Sequence, residues 1–272
     1  MKKHLIIIAK IFGFFVFWIL GLIVYEIPSI GDPVFTKNNE AIRRFWWELL
    51  PLISVLFVTM FFVKIIEKNK INICLLNNIV KNVLFGIIVG VIWFSIPIII
   101  LYIMGNLQFG IINNIPYLFV WIISVLLNVF MQNILVRGYI FELLRKDYNL
   151  LTSIMVTTLI FTLFHGGAFE AGLIAVLNVF TMSIFMSLIL IYSKSLLVPI
   201  IVHGFWNIVG SLLGCVSLAD DYPILINTTI TGNKIISGGI YKLEGSIFVL
   251  IMNLLFIIVL IIILNRKKSN CT

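Results

Sequence analysis

Six polar side chains interrupt apolar stretches of this chain at spacings that align them on helical faces. Gln132 and Asn133 stand just before Arg137 in Met131-Gln132-Asn133-Ile134-Leu135-Val136-Arg137-Gly138-Tyr139. His165 ends Phe161-Thr162-Leu163-Phe164-His165 and is followed by Gly166-Gly167, a helix-stop signal. His203 and Asn207 lie in the third stretch. Asn133 and Arg137 are four residues apart, as are His203 and Asn207, so each pair shares one face of a helix. Polar groups are costly in hydrocarbon and normally face a bundle interior or a wet cavity, so the three clusters are expected to converge on one buried polar site. Imidazoles exchange protons near neutral pH. A side-chain amide orients a water by hydrogen bonding but does not take its proton. Of the six, only His165 and His203 are of a type that moves protons near neutral pH, while Gln132, Asn133, Arg137 and Asn207 hydrogen-bond.

The elements that must position these groups are membrane spans. Of the 272 residues, 61% are hydrophobic and only 11% charged, with a mean hydropathy of +1.17, far from the roughly one-quarter charged share of a soluble domain. Apolar runs near Leu5 to Tyr25, Leu49 to Ile66, Val83 to Met104, Tyr117 to Leu144, Leu151 to His165, Ala171 to Tyr192, Leu196 to Leu213 and Ile247 to Leu264 predict about eight transmembrane helices in one membrane domain over residues 1–272. The first run is long for a signal sequence and lacks an Ala-x-Ala cleavage pattern, so it is read as an uncleaved span. His165 at a helix end would also suit an interfacial group; His203, inside an apolar helix, would not.

Charge placement predicts the topology. Lys2, Lys3, Lys64, Lys68, Lys70, Lys81, Arg145, Lys146, Lys194, Arg266, Lys267 and Lys268 fall on one side, which by the positive-inside rule is cytoplasmic, with both termini inside. Lys10 is expected to snorkel to that interface. The other side has Lys37, Arg43, Arg44, Lys234 and Lys242 nearly balanced by Glu26, Asp32, Glu40, Asp220, Asp221 and Glu244. Trp46 and Trp47, beside Glu48, read as an interfacial belt, and Ser217 to Lys242 as the longest loop. The formal charge of +8 is scattered over short loops rather than gathered on one arm, which argues against nucleic acid as a partner. Cys74, Cys215 and Cys271 show no disulfide or thiolate-metal spacing. A composition rich in Ile, Asn and Lys fits a bacterial plasma membrane protein.

Gln132-Asn133-x-x-x-Arg137-Gly138-Tyr139, Phe161-x-x-x-His165 and His203-x-x-x-Asn207, the last preceded by Ser195-Leu196-Leu197-Val198-Pro199-Ile200, resemble in order the EExxxR, FxxxH and HxxxN motifs of the CPBP family. These are the CAAX-processing and bacteriocin-processing intramembrane proteases, also called Abi proteins. The resemblance covers about residues 116–214, and Gly238-Gly239 and Leu243-Glu244-Gly245-Ser246 are similar to later features of its members. It implies an all-α polytopic bundle of the CAAX-protease type, and an endopeptidase in which the first motif Glu acts with the two His to activate water while the Asn holds the oxyanion. By position Gln132 replaces the first Glu and Asn133 the second, whereas Arg137, His165, His203 and Asn207 match.

Both acids of the motif are missing, and loss of a general base typically removes about 10²- to 10⁴-fold in rate. Either His165 or His203 serves alone or another acid stands in. Glu142, Glu170 and Glu244 are nearest by sequence; Glu142 is about 15 Å along the helix from Gln132, while Glu170 follows the Gly166-Gly167 turn and either folds back toward the site or stays exposed. Arg137 needs a carboxylate partner or must snorkel to the interface. The family is often described as metalloproteases, but two His and an Asn are a poor zinc set, so no cofactor is assigned. The expected partners are the bilayer and a membrane-associated peptide or protein. Three functional readings follow: a weakened intramembrane endopeptidase, an inactive family member that binds or regulates a membrane partner, and a small transporter, which the absence of visible repeat symmetry disfavours.

Overall fold

The computed structural model describes residues 2–217 and 221–269; Asp220 and Cys271 lie outside the described residues. In hydrocarbon every backbone polar group must be satisfied within its own segment, which favours helices, and all eight apolar runs are helical. Among the described residues the α-helices longer than one turn are α1 (Lys2–Ile23), α2 (Glu40–Phe61), α3 (Ile79–Ile103), α4 (Leu118–Arg137), α5 (Tyr139–Asp147), α6 (Leu150–Phe164), α7 (Gly166–Ala171), α8 (Leu173–Ser193), α9 (Leu197–Leu212) and α10 (Ile247–Ser269). Six helical segments are long and apolar enough to cross a membrane: Lys2–Glu26, Glu40–Ile66, Ile79–Ile103, Leu118–Asp147, Leu173–Ser193 and Ile247–Lys267. Two further helices, α6, which His165 follows, and α9, which carries His203, are shorter, with 15 and 16 residues. At 1.5 Å per residue each spans about 22–24 Å, less than the hydrocarbon core of about 30 Å. The chain is thus an all-α, multi-pass membrane protein.

Contacts divide it into two compact units, each made of two chain segments: residues 1–73 with 116–157, and 74–115 with 158–272, the division falling inside α6. In the first unit α2 packs along α4 and against α1. Asn39 starts α2 by accepting a hydrogen bond from the Ile42 amide at 3.2 Å, the usual way in which an Asn satisfies an orphan N–H of a first turn. Trp46 and Trp47 donate their indole N–H groups to the carbonyls of Ile30 and Gly31 at 2.7 and 3.0 Å. At its far end α2 widens into a π-turn, Phe62–Ile66, followed by two residues with left-handed backbone, Lys68 and Asn69 (φ 52° and 60°). The predicted run Tyr117 to Leu144 is two helices. At Gly138 the chain bends (φ −81°, ψ −108°), and a Cβ there would run into the Ile134 carbonyl. The bend delivers Tyr139 into the unit's core, where its ring stacks on Phe14 at 5.1 Å and meets Phe62 at 5.2 Å.

Tyr139 also donates its hydroxyl to the Glu67 carboxylate at 3.1 Å. Lys146 reaches the other oxygen at 3.1 Å, and Lys10 forms a short ion pair with the first. Lys10 therefore turns to a buried carboxylate rather than simply snorkelling. Glu67 is only 3% exposed. Burial alone pushes its carboxyl up, but the hydrogen bonds and charges of Lys10 and Lys146 outweigh burial and hold it below the ordinary range.

In the second unit α3 packs on α9, and α8 on α10. Small residues let these helices approach closely, as is usual between apolar helices: a Cβ on Gly86 would come within 3.0 Å of Ile201, and one on Gly90 within 2.9 Å of Phe205. Buried polar groups are satisfied across helices. Trp93 donates to Asn253 Oδ1 at 2.7 Å, Asn253 donates to Thr181 Oγ1 at 2.9 Å, and Asn178 donates to the carbonyls of Glu244 and Ser246 at 2.9 and 3.0 Å. A two-stranded antiparallel sheet pairs β1 (Leu107–Ile112) with β2 (Ile226–Ile230). It was not foreseen from the sequence, and it organises part of the expected loop Ser217 to Lys242.

Candidate active site

In the first unit the amides of α4 are oriented by fixed charges. Glu48 of α2 is buried and bridged to Arg44 at 2.7 Å. It accepts a hydrogen bond from Asn128 Nδ2 at 2.7 Å, and Asn128 Oδ1 accepts one from Gln132 Nε2 at 2.6 Å. An ionised carboxylate only accepts, so Asn128 must turn its NH₂ to Glu48 and its oxygen to Gln132. Gln132 must then use its own NH₂ on Asn128. Its Oε1 is left as a buried acceptor with no hydrogen-bond partner among the described residues. The relay thus gives position 132 an acceptor oxygen without basicity.

Asn133 is set by the same logic from the other end. Arg137 only donates, and its guanidinium reaches Asn133 Oδ1 at 3.1 Å, while Asn133 Nδ2 donates to the Val129 carbonyl at 2.8 Å. Asn133 and Arg137 are both fully buried. Arg137 ends its helix at the Gly138 bend, and its side chain lies back along its own last turn onto Asn133.

In the second unit the two histidines flank one ring. Phe161 lies 4.2 Å from the His165 ring and 5.9 Å from that of His203, in edge-on contact with the latter. His165 Nδ1 is 2.7 Å from the Phe161 carbonyl. A carbonyl only accepts, so Nδ1 carries the proton, and the neutral ring has its lone pair on Nε2. His203 is buried on α9, and Asn207 lies one turn further on, half-buried. The second unit therefore brings His165 and His203 together, with Asn207 on the face of His203. Gln132, Asn133 and Arg137 are brought together in the first.

The acids considered from the sequence are engaged elsewhere. Glu170 is exposed on α7 rather than folded back, Glu142 pairs with Arg145 at 2.7 Å, and Glu244 accepts the Ser217 amide at 2.7 Å. Glu48 and Asn128 were missed. The only signal for them was Arg44 four residues before Glu48 and Asn128 four before Gln132. Among the described residues no three His, Cys, Asp or Glu side chains gather as a metal site, and two imidazoles with an amide do not fit a catalytic zinc centre.

Residues 114–209 match a family model described as Rce1-like, type II CAAX prenyl endopeptidase Rce1-like. No curated protein and no solved structure matches.

Proposed function

Because residues 114–209 match the model of type II CAAX prenyl endopeptidases, we propose that the chain is a CPBP-type protein that hydrolyses a peptide bond of a membrane-associated peptide with an imidazole as base. In this reading the residues that act lie within the predicted core, residues 116–214. The oxygen of a water bonds to the substrate carbonyl carbon as His165 Nε2 or His203 takes its proton. The C–N bond then breaks, and the imidazolium returns the proton to the departing amine. Gln132 Oε1 accepts the water's second hydrogen, and the Asn207 amide faces the oxyanion. The positive-inside pattern supports a plasma membrane location with both termini cytoplasmic.

The observation that carries this reading is the pair of imidazoles around Phe161, with His165 held in the tautomer whose Nε2 is basic. The amides at 132 and 133 favour a second reading, a family member that binds the same peptide without cutting it. Purified protein in detergent, given prenylated and unprenylated CAAX-type peptides, separates the two. Turnover is expected for the native chain and should fall by about 10²- to 10⁴-fold in His203→Ala. Equal product with both proteins overturns the hydrolytic reading.

A further inference from the structure

The lysines that sequence analysis used only to orient the chain do not simply ring an interface. Lys2, Lys3, Lys10, Lys68, Lys70 and Lys146 line one cavity of about 500 Å³ in the first unit, where only Glu67 and Asp147 oppose them. Glu67 is taken by Lys10 and Lys146. Asp147 faces Lys3 at 3.9 Å. Lys2, Lys68 and Lys70 remain in excess. The last two are brought to the cavity by the tight reversal after the π-turn, in which Asn69 donates its amide to the Val63 carbonyl and Lys70 donates its own to Glu67, at 2.9 and 3.0 Å. Left-handed backbone is uncommon for residues other than glycine, and here two occur in succession.

The remaining wall is apolar. Ile6 and Ile66 border the cavity and are themselves about half exposed, leading onto the apolar outer surface of α1, where Leu5, Ile8 and Phe12 are exposed. A ligand that matches both surfaces has an anionic head and a hydrocarbon tail. We propose that this cavity binds the phosphoryl headgroup of an anionic phospholipid, with Lys2, Lys68 and Lys70 as its cationic contacts and an acyl chain laid past Ile66 and Ile6. Lysine suits the role because its ammonium is a mobile point charge, and clustered lysines beside a span bind anionic headgroups. Free phosphate would use the lysines but not the isoleucines.

The test measures lipid retained by the full-length protein in detergent, by native mass spectrometry, against equal phosphatidylglycerol and phosphatidylcholine. Preferential retention of phosphatidylglycerol is expected. It should drop at least about ten-fold in Lys68→Gln/Lys70→Gln and stay unchanged in Lys81→Gln, which removes a lysine outside the cavity. Both substitutions spare Glu67 and its partners, and thermal unfolding checks that the variants are folded. Equal retention of the two lipids, an unaltered preference in the double variant, or the same loss in Lys81→Gln overturns the proposal. Displacement of phosphatidylglycerol by equimolar inorganic phosphate overturns the lipid and assigns the cavity to free phosphate. None of these outcomes depends on peptide hydrolysis.

Discussion

Replacing Gln132 and Asn133 together by glutamate is expected to raise peptide hydrolysis by about 10²- to 10⁴-fold over the native chain, the usual worth of a positioned general base. The structure explains why the pair matters. Gln132 offers an acceptor through Oε1 because Glu48 and Asn128 fix its amide, so the native residue can hold a water but cannot deprotonate it. A carboxyl at 132 would meet Asn128 Oδ1, another acceptor. It relieves the clash of lone pairs by holding a proton there. The second substitution puts a carboxylate against Arg137, which now donates to the neutral Asn133. A carboxylate there accepts a charge-assisted hydrogen bond from that guanidinium, and the double variant is expected to stay folded. Rates measured on the same purified preparations check this; a folded double variant with no gain would show that more than the acids separates this chain from turnover.

The largest stability effect is expected at Glu67. Its carboxylate gathers Lys10, Lys146 and the motif tyrosine, Tyr139, so Glu67→Ala strands two ammonium groups and a buried hydroxyl at once. Removing one partner of a fully buried pair costs about 3–5 kcal/mol. Because both lysines keep some exposure, about 2–3 kcal/mol is expected. The pH dependence has a defined sign. The folded carboxyl titrates below its ordinary value of 4.5, so its contribution is complete above that value and disappears as pH falls through the lower folded value. Thermal unfolding in detergent should show native protein and Glu67→Ala well separated at pH 7, with the gap closing in acid below about pH 4.5. A gap independent of pH would contradict the assigned ion pairs.

Apolar run length located the long helices but not the short α7, because burial in lipid imposes a signal that depends only on neighbouring residues. The break at Gly138 was harder to see. A single glycine in an apolar run is common, and its meaning here comes from the Ile134 carbonyl that leaves no room for a Cβ. The motif spacing correctly paired Asn133 with Arg137, since four residues make one helical turn. The relay from Glu48 to Gln132 was not legible, because it joins α2 to α4 over 80 positions of sequence. Glu48, beside two tryptophans, read as part of an interfacial belt. Lys10 was expected only to snorkel to an interface and Glu67 was not singled out, whereas their pairing depends on the π-turn that ends α2. The β1–β2 pairing was missed because Leu107–Ile112 follows a predicted span and carries no alternation strong enough to mark a strand.

The most direct test of the imidazole as base is the pH dependence of peptide hydrolysis by the native protein. The rate should fall toward acid as the base is protonated, and this limb should vanish in His203→Ala or His165→Ala, whichever supplies the base. In Gln132→Glu/Asn133→Glu the limb should move to more acidic pH. A native rate that is indistinguishable from that of both histidine variants at every pH would contradict the account.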